Sequence, residues 1–134
     1  MAGYSQTPLI KKLGIKPATR ILIKGEPKTY WDWISPLPQD AVVVKQGRGD
    51  LDFIHVFVLS VNEFESQFLT MKKLLKKEGM LWISWPKKSS KIETDLDENK
   101  IRDFGLANGL VDVKVCAVDE VWSGLKFVYR TKDR

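Results

Sequence analysis

Lys24, Lys45 and the Lys87-Lys88 pair each follow a run of aliphatic, β-branched or aromatic residues: Arg-Ile-Leu-Ile, Ala-Val-Val-Val and Trp-Ile-Ser-Trp-Pro. In open α/β sheets, ligands settle outside the carboxyl ends of the strands, so cations at those ends favour a phosphate or a carboxylate. Lysine is also what an exposed strand end ordinarily carries, and that plainer reading is the stronger one. A second group lies near the C-terminus, where Glu120, Trp122, Ser123 and Lys126 could form a polar pocket with residues 87–94. A large aromatic such as Trp122 in a turn is costly to leave in water, so it either folds back or meets a partner. Tyr30, Trp31 and Trp33 follow the first strand-like run. They could stack on a base, but such aromatics more often pack a short helix against a sheet, and packing is the expectation here.

The residue types that usually act as nucleophiles, bases or metal ligands are scarce. His55 is the one histidine, and it sits inside the apolar run 51–59. A packed, hydrogen-bonded imidazole is expected there, since a catalytic base must reach an accessible substrate. Cys116 is the one cysteine, which leaves no intrachain disulfide and no multi-cysteine zinc site. Alternation in Val-Lys-Val-Cys-Ala-Val could turn it inward as a small apolar filler. No catalytic constellation and no metal site emerge, and the expectation leans away from an enzyme.

The chain has 134 residues, 43% of them hydrophobic, enough for one core and one domain spanning 1–134. Its net charge of +5 comes mostly from scattered lysines. That mildly favours acidic partners, nucleic acid included, whereas specific base or phosphate recognition usually favours arginine. No apolar stretch has the length of a membrane span. The first residues show neither a secretory leader nor a myristoylation glycine, Ala2 standing in its place. A cytoplasmic location is the resulting expectation.

Hydrophobic periodicity and punctuation place the elements. A short helix is predicted at about 8–13, capped by Thr7, with Pro8 at its first position, Gly14 at its end, and Leu9, Ile10 and Leu13 on one face. Strands are predicted at 19–24, 41–45, 51–59, 80–85, 111–118 and 125–129, the third buried on both faces. A short helix falls at 30–34. A longer one starts after Ser60 with a capping-box glutamate, Glu63, repeats Phe64, Phe68, Met71 and Leu75 inward, and ends at Gly79. The last helix is capped by Thr94, carries Asp95 and Asp97 in its first turn, turns Ile101 and Phe104 inward and stops at Gly109. Residues 119–124 join the last two strands as a hairpin. Strands alternating with helices predict a mostly parallel three-layer Rossmann-like sheet with an antiparallel C-terminal hairpin.

Two segments carry a resemblance. The strand from Asp52, the helix after it and Leu74-Leu75-Lys76-Lys77-Glu78-Gly79-Met80-Leu81-Trp82-Ile83 are similar to the fourth strand, following helix and entry into the fifth strand of class I methyltransferases. The final helix and hairpin resemble that family's last helix and strands six and seven. The chain also resembles a small uncharacterised bacterial domain-of-unknown-function family in Ala2-Gly3-Tyr4-Ser5-Gln6-Thr7-Pro8-Leu9, in Ser84-Trp85-Pro86-Lys87-Lys88 and in the stretch from Asp119 to Phe127. The resemblance implies a methyltransferase-like α/β domain. Against it, the family's glycine-rich turn after strand one is reduced here to Lys24-Gly25-Glu26-Pro27-Lys28. The acid that ends its second strand, and accepts from the ribose hydroxyls, is replaced by Lys45. Residues 46–50 leave little room for the third strand and its helix. These departures argue against S-adenosylmethionine binding, so no cofactor is expected.

The reading that follows is a non-enzymatic binding or regulatory module. Its rim (Lys24, Lys45, Lys87 and Lys88, with Glu120, Trp122 and Ser123 nearby) would recognise an anionic small molecule or an acidic protein surface. A divergent S-adenosylmethionine-dependent methyltransferase is the alternative, and weak nucleic-acid binding ranks third.

Overall fold

The computed structural model describes residues 8–134. Its centre is a six-stranded sheet built from β1 (Arg20–Lys24), β2 (Val42–Val43), β3 (Leu51–Phe57), β4 (Leu75–Pro86), β5 (Leu110–Ala117) and β6 (Trp122–Tyr129), in the order β2-β1-β3-β4-β6-β5. The pairs β1/β2, β1/β3 and β3/β4 are parallel, while β4/β6 and β5/β6 are antiparallel. Helices α1 (Leu9–Leu13) and α2 (Tyr30–Trp33) cover one face, and α3 (Val61–Leu74) and α4 (Glu98–Ala107) cover the other. The predicted layers, strand directions and closing hairpin are all present. Thr7 lies outside the described residues, Pro8 is the N-cap of α1 rather than its first residue, and Gly14 ends that helix in the left-handed conformation.

The two faces are built differently. On the α3/α4 face, Phe64, Phe68 and Met71 from α3 and Ile101 from α4 meet Leu22, Ile54, Val56, Leu81 and Phe127 from the strands. Helical spacing delivers the first set and strand alternation the second. On the α1/α2 face, Leu13, Tyr30 and Ile34 meet Ile21, Phe53, Phe57 and Trp82. Each large apolar side chain so removed from water contributes roughly 1.5–3 kcal/mol.

Several predicted boundaries move for local reasons. Ser60 caps α3 by accepting from the Glu63 amide at 3.1 Å, and the Glu63 carboxylate reaches back to the Leu59 amide at 2.8 Å. The helix does not run to Gly79. Leu75 already has extended backbone and opens β4, bridging to Leu51 before the register shifts and resumes at Phe53 and Met80. Lys76 and Lys77 thus belong to a strand: Lys76 pairs with Asp52 at 3.1 Å, and Lys77 lies 4.3 Å from the centre of the Tyr129 ring. Thr94 is not the cap of α4. Its hydroxyl donates to the Leu59 carbonyl, and Asp97 caps the helix by accepting from the Lys100 amide at 2.8 Å. Strand β2 shrinks to two residues because nothing pairs with its outer side among the described residues; Val42 and Val43 are exposed. Among the described residues no strand lies outside β2, and residues 44–50 lead directly into β3.

Helix α4 lies so close to β6 that a Cβ on Gly105 would stand 2.2 Å from the Phe127 ring, which is itself fully buried. Gly105→Ala should gain about 1 kcal/mol of helix propensity and lose more, since overpacking a filled core costs about 1–3 kcal/mol. Urea unfolding should therefore show a net loss of stability. A net gain would mean that α4 rides more loosely on the sheet than the contact implies.

Candidate functional site

The carboxyl ends of β1, β3 and β4 form one rim. Beyond Lys24, which is exposed, Gly25 takes φ +72° and brings the chain against β3: a Cβ there would lie 2.6 Å from the Phe57 carbonyl oxygen. Only glycine meets both demands without strain. The glycine that the sequence leaves at this turn thus serves a close backbone approach at the end of the first strand. The next residue, Glu26, accepts from the Trp31 indole N–H at 3.2 Å. Trp122 folds back and meets the Phe57 ring edge-on, with centroids 5.0 Å apart. Packing is also the role of Tyr30, which is fully buried, while Trp31 and Trp33 are half-buried beside it.

Directly beneath this rim runs a hydrogen-bonded chain of three buried side chains. The Tyr30 hydroxyl and His55 Nδ1 lie 2.9 Å apart, and His55 Nε2 and the Ser84 hydroxyl 2.7 Å. A neutral imidazole offers one donor and one acceptor, so both ring nitrogens are satisfied. The Phe57 ring stacks on the imidazole at 4.4 Å. Burial pulls the His55 pKa down to about 3, and burial, then the Glu26 charge, pushes the Tyr30 hydroxyl up. His55 is a structural tie from α2 through β3 to β4, as expected from its apolar setting. Cys116 is half-buried against the same cluster, and burial raises its thiol pKa.

At the end of β4 the surface opens into a cleft of about 440 Å³ lined by Lys87, Lys88, Ser123 and the first residues of α4. The sequence leaves open whether Ser123 meets residues 87–94; here Lys87, Lys88 and Ser123 line one cleft. Lys24 and Lys45 lie across β3 from it, and neither lines it. Glu120 is exposed in the hairpin turn and Trp122 is turned onto Phe57, so neither joins the lining. Lys126 lies further down β6, opposite Trp82. Asp97, Glu98 and Asn99 complete the cleft and were not anticipated. The available signal was topological, because a helix following a parallel strand starts at the carboxyl rim. One oxygen of each is engaged: Asp97 caps α4, while Glu98 and Asn99 accept from Arg102. Bonds to Asp112 and Glu98 raise the Arg102 pKa still further. Lys87, Lys88 and Ser123 are left to face the opening.

No protein-family model and no curated protein matches the chain. Solved structures do. A SAM-dependent methyltransferase from Aquifex aeolicus superimposes with a TM-score of 0.60 at 16% identity, covering 89% of this chain and 86% of that one. A TehB-like SAM-dependent methyltransferase from Corynebacterium glutamicum gives 0.58 at 12% identity, covering 96% and 91%. DhpI in its SAH complex gives 0.63 at 10% identity, covering 92% and 83%. At these identities the likeness shows the fold: an α/β domain of the class I methyltransferase type, with a six-stranded mixed sheet. It also corrects the functional expectation. A non-enzymatic binding module was the reading from the degraded cofactor loop, but several of the solved structures that superimpose on this chain are methyltransferases, and they favour the divergent methyltransferase reading instead. No helix among the described residues is long and apolar enough to cross a membrane.

The buried histidine gives the fold a definite pH response. The unfolded chain takes up a proton on His55 below about 6.5, and the folded chain refuses it until about 3. Stability is then complete above pH 6.5 and falls as the pH drops through that window. Between pH 7 and pH 5 the loss should be about 2 kcal/mol, measured by urea unfolding at both values. His55→Gln, less stable overall, should show little of this slope; an equally steep slope in that variant would place the pH sensitivity elsewhere.

Proposed function

We propose that this chain is a divergent S-adenosylmethionine-dependent methyltransferase whose cofactor binds at the rim around Gly25. The observation that carries the reading is the positive-φ glycine ending β1 hard against β3, in a sheet of the methyltransferase order. The residues present offer a fit of a modified kind. Lys45 follows β2 where the family has an acid. Glu26, one residue past the glycine, is a carboxylate at the same rim, and the N–H it now accepts comes from a half-buried tryptophan. In this reading the Gly25 backbone and the Glu26 carboxylate hold the nucleoside, Glu26 accepting from the ribose hydroxyls. Lys24 and Lys45 face the anionic end of the amino-acid tail. The cofactor, when bound, supplies an electrophilic methyl group.

The cleft at the end of β4 then receives the methyl acceptor, with Lys87, Lys88 and Ser123 orienting it. His55 is sealed in the core and takes no part in proton transfer. Rate enhancement in such a site comes from holding acceptor and methyl donor in line, which suits an acceptor that is already nucleophilic.

Isothermal titration calorimetry with S-adenosylhomocysteine tests the reading. The wild-type chain should bind with a dissociation constant below a millimolar. Glu26→Gln keeps an acceptor for the Trp31 N–H, and it should weaken binding about tenfold by replacing a charged acceptor with a neutral one. Absence of heat from the wild-type protein at millimolar ligand would remove the proposal.

A further inference from the structure

Away from the rim, the hairpin gathers lysines on the α1 side of the sheet. In the register of β5 and β6, Lys114 stands directly opposite Lys126. Across its other flank Lys126 is opposite Trp82, whose indole N–H donates to the Leu13 carbonyl at 2.8 Å and fixes the end of α1 over this spot. The Lys114 ammonium donates to the Lys12 carbonyl at 2.9 Å. The Lys126 ammonium lies 3.9 Å from where a Cβ on Gly14 would stand. Lys12 and Lys16 flank that glycine on either side. Lys114 and Lys126 thus meet at the end of α1, where the charge of Lys16 also reaches Lys126 and that of Lys12 reaches the neighbouring Cys116, about 13 Å along β6 from Trp122 at 3.3 Å per residue.

The arrangement works against stability. Like charges directly opposite on neighbouring strands repel, where an opposite-charge pair would contribute roughly 0.2–1 kcal/mol. Lys126 is partly buried; that burial lowers its pKa, and the charges of Lys114 and Lys16 lower it further. Among the described residues, none of the four lysines forms a salt bridge to a carboxylate. Capping of α1 accounts for Lys114 alone, and ordinary surface solvation accounts for the exposed Lys16 but not for the half-buried Lys126. An uncompensated cluster of this kind is complete when closely spaced anions lie over it.

We propose that Lys12, Lys16, Lys114 and Lys126 form a binding patch for the phosphodiester backbone of a nucleic-acid strand. Such a strand carries one charge every few ångströms, a density that suits crowded ammoniums. Point-charge lysines hold a backbone without reading bases. An anionic membrane surface offers the same sign of charge, and the vesicle arm of the test separates it from a strand. The patch lies apart from the rim, and its function does not depend on methyl transfer.

The test is fluorescence anisotropy with a labelled 20-nucleotide RNA, the DNA of the same sequence, and phosphatidylserine vesicles. Four neutralised phosphates on a single strand predict that affinity falls about 50-fold between 50 and 200 mM salt. The double variant Lys114→Gln/Lys126→Gln should melt at a higher temperature, because repulsion is relieved, and should bind the strand about tenfold more weakly at 50 mM salt. Lys16→Gln, at an exposed position, should lower the salt slope with the fold undisturbed. Tighter binding of RNA than DNA, or the reverse, would identify which strand the patch serves. A double variant that melts higher yet binds as tightly as the wild type would overturn the proposal. So would wild-type affinity insensitive to salt, or binding to vesicles without binding to either strand.

Discussion

A neutral imidazole withdrawn from water must find a partner for each ring nitrogen, and His55 finds them on two different elements, Tyr30 of α2 and Ser84 of β4. The bonds run across the face of the sheet rather than along it. They therefore fix where a four-residue helix, too short to hold itself, rests on its strands. That position decides the rim. With Tyr30 anchored, Trp31 reaches Glu26, and the turn at Gly25 is drawn between α2 and the end of β3. A leucine at position 55 would pack but could not tie, and it would leave the Tyr30 hydroxyl buried without a partner, at a cost of about 1–3 kcal/mol.

The aromatic crowding around this bond has a geometric origin. Helices α3 and α4, with 14 and 10 residues, cover their face of the sheet with ordinary aliphatic and phenylalanine side chains. On the opposite face α1 and α2 supply 5 and 4 residues, too few to roof the same area. Bulk is supplied from the side chains instead. Tyr30, Phe53, Phe57 and Trp82 are buried there, and Trp31, Trp33 and Trp122 close the margins. Large rings keep the interior at the close-packed density that folded cores require. The same crowding commits most of these aromatics to structure, which is why they are not free to serve as a base-stacking platform.

What the sequence disclosed follows from which signals are local. Alternation and helical period placed six strands and four helices, since burial of one face is written into the spacing of Phe64, Phe68 and Met71 or of Ile21 and Ile23. The errors arose where a distant partner set the boundary. Leu75 becomes strand because Leu51 is there to pair with it, overriding the helix-ending signal of Gly79. Thr94 gives up its capping role because the Leu59 carbonyl takes its hydroxyl. Among the candidate residues, Lys87, Lys88 and Ser123 could each be named from the sequence, but their meeting in one cleft depends on the pairing of β4 with β6. The α4 residues Asp97 to Asn99 were not anticipated there, since only the assembled crossover brings them to the rim. The lysine pair at 114 and 126 was equally hidden: it depends on the register of a hairpin with a bulge between Asp112 and Lys114.

The lack of a strand outside β2 among the described residues bears on the same rim from the other side. With β2 now the edge, only two of its residues pair, and a short, abruptly ended edge strand offers little template to another chain. The end of β2 is held on its inner side alone, the Val44 N–H donating to the Ile21 carbonyl at 2.8 Å, and Lys45 emerges there into solvent. Glu26 stands on firmer ground. It follows a glycine wedged against the Phe57 carbonyl and precedes a proline, and a tryptophan already holds its carboxylate in place. In the proposed reading, the carboxylate that meets the nucleoside at this shortened edge is Glu26, which the buried histidine positions indirectly through Tyr30 and Trp31.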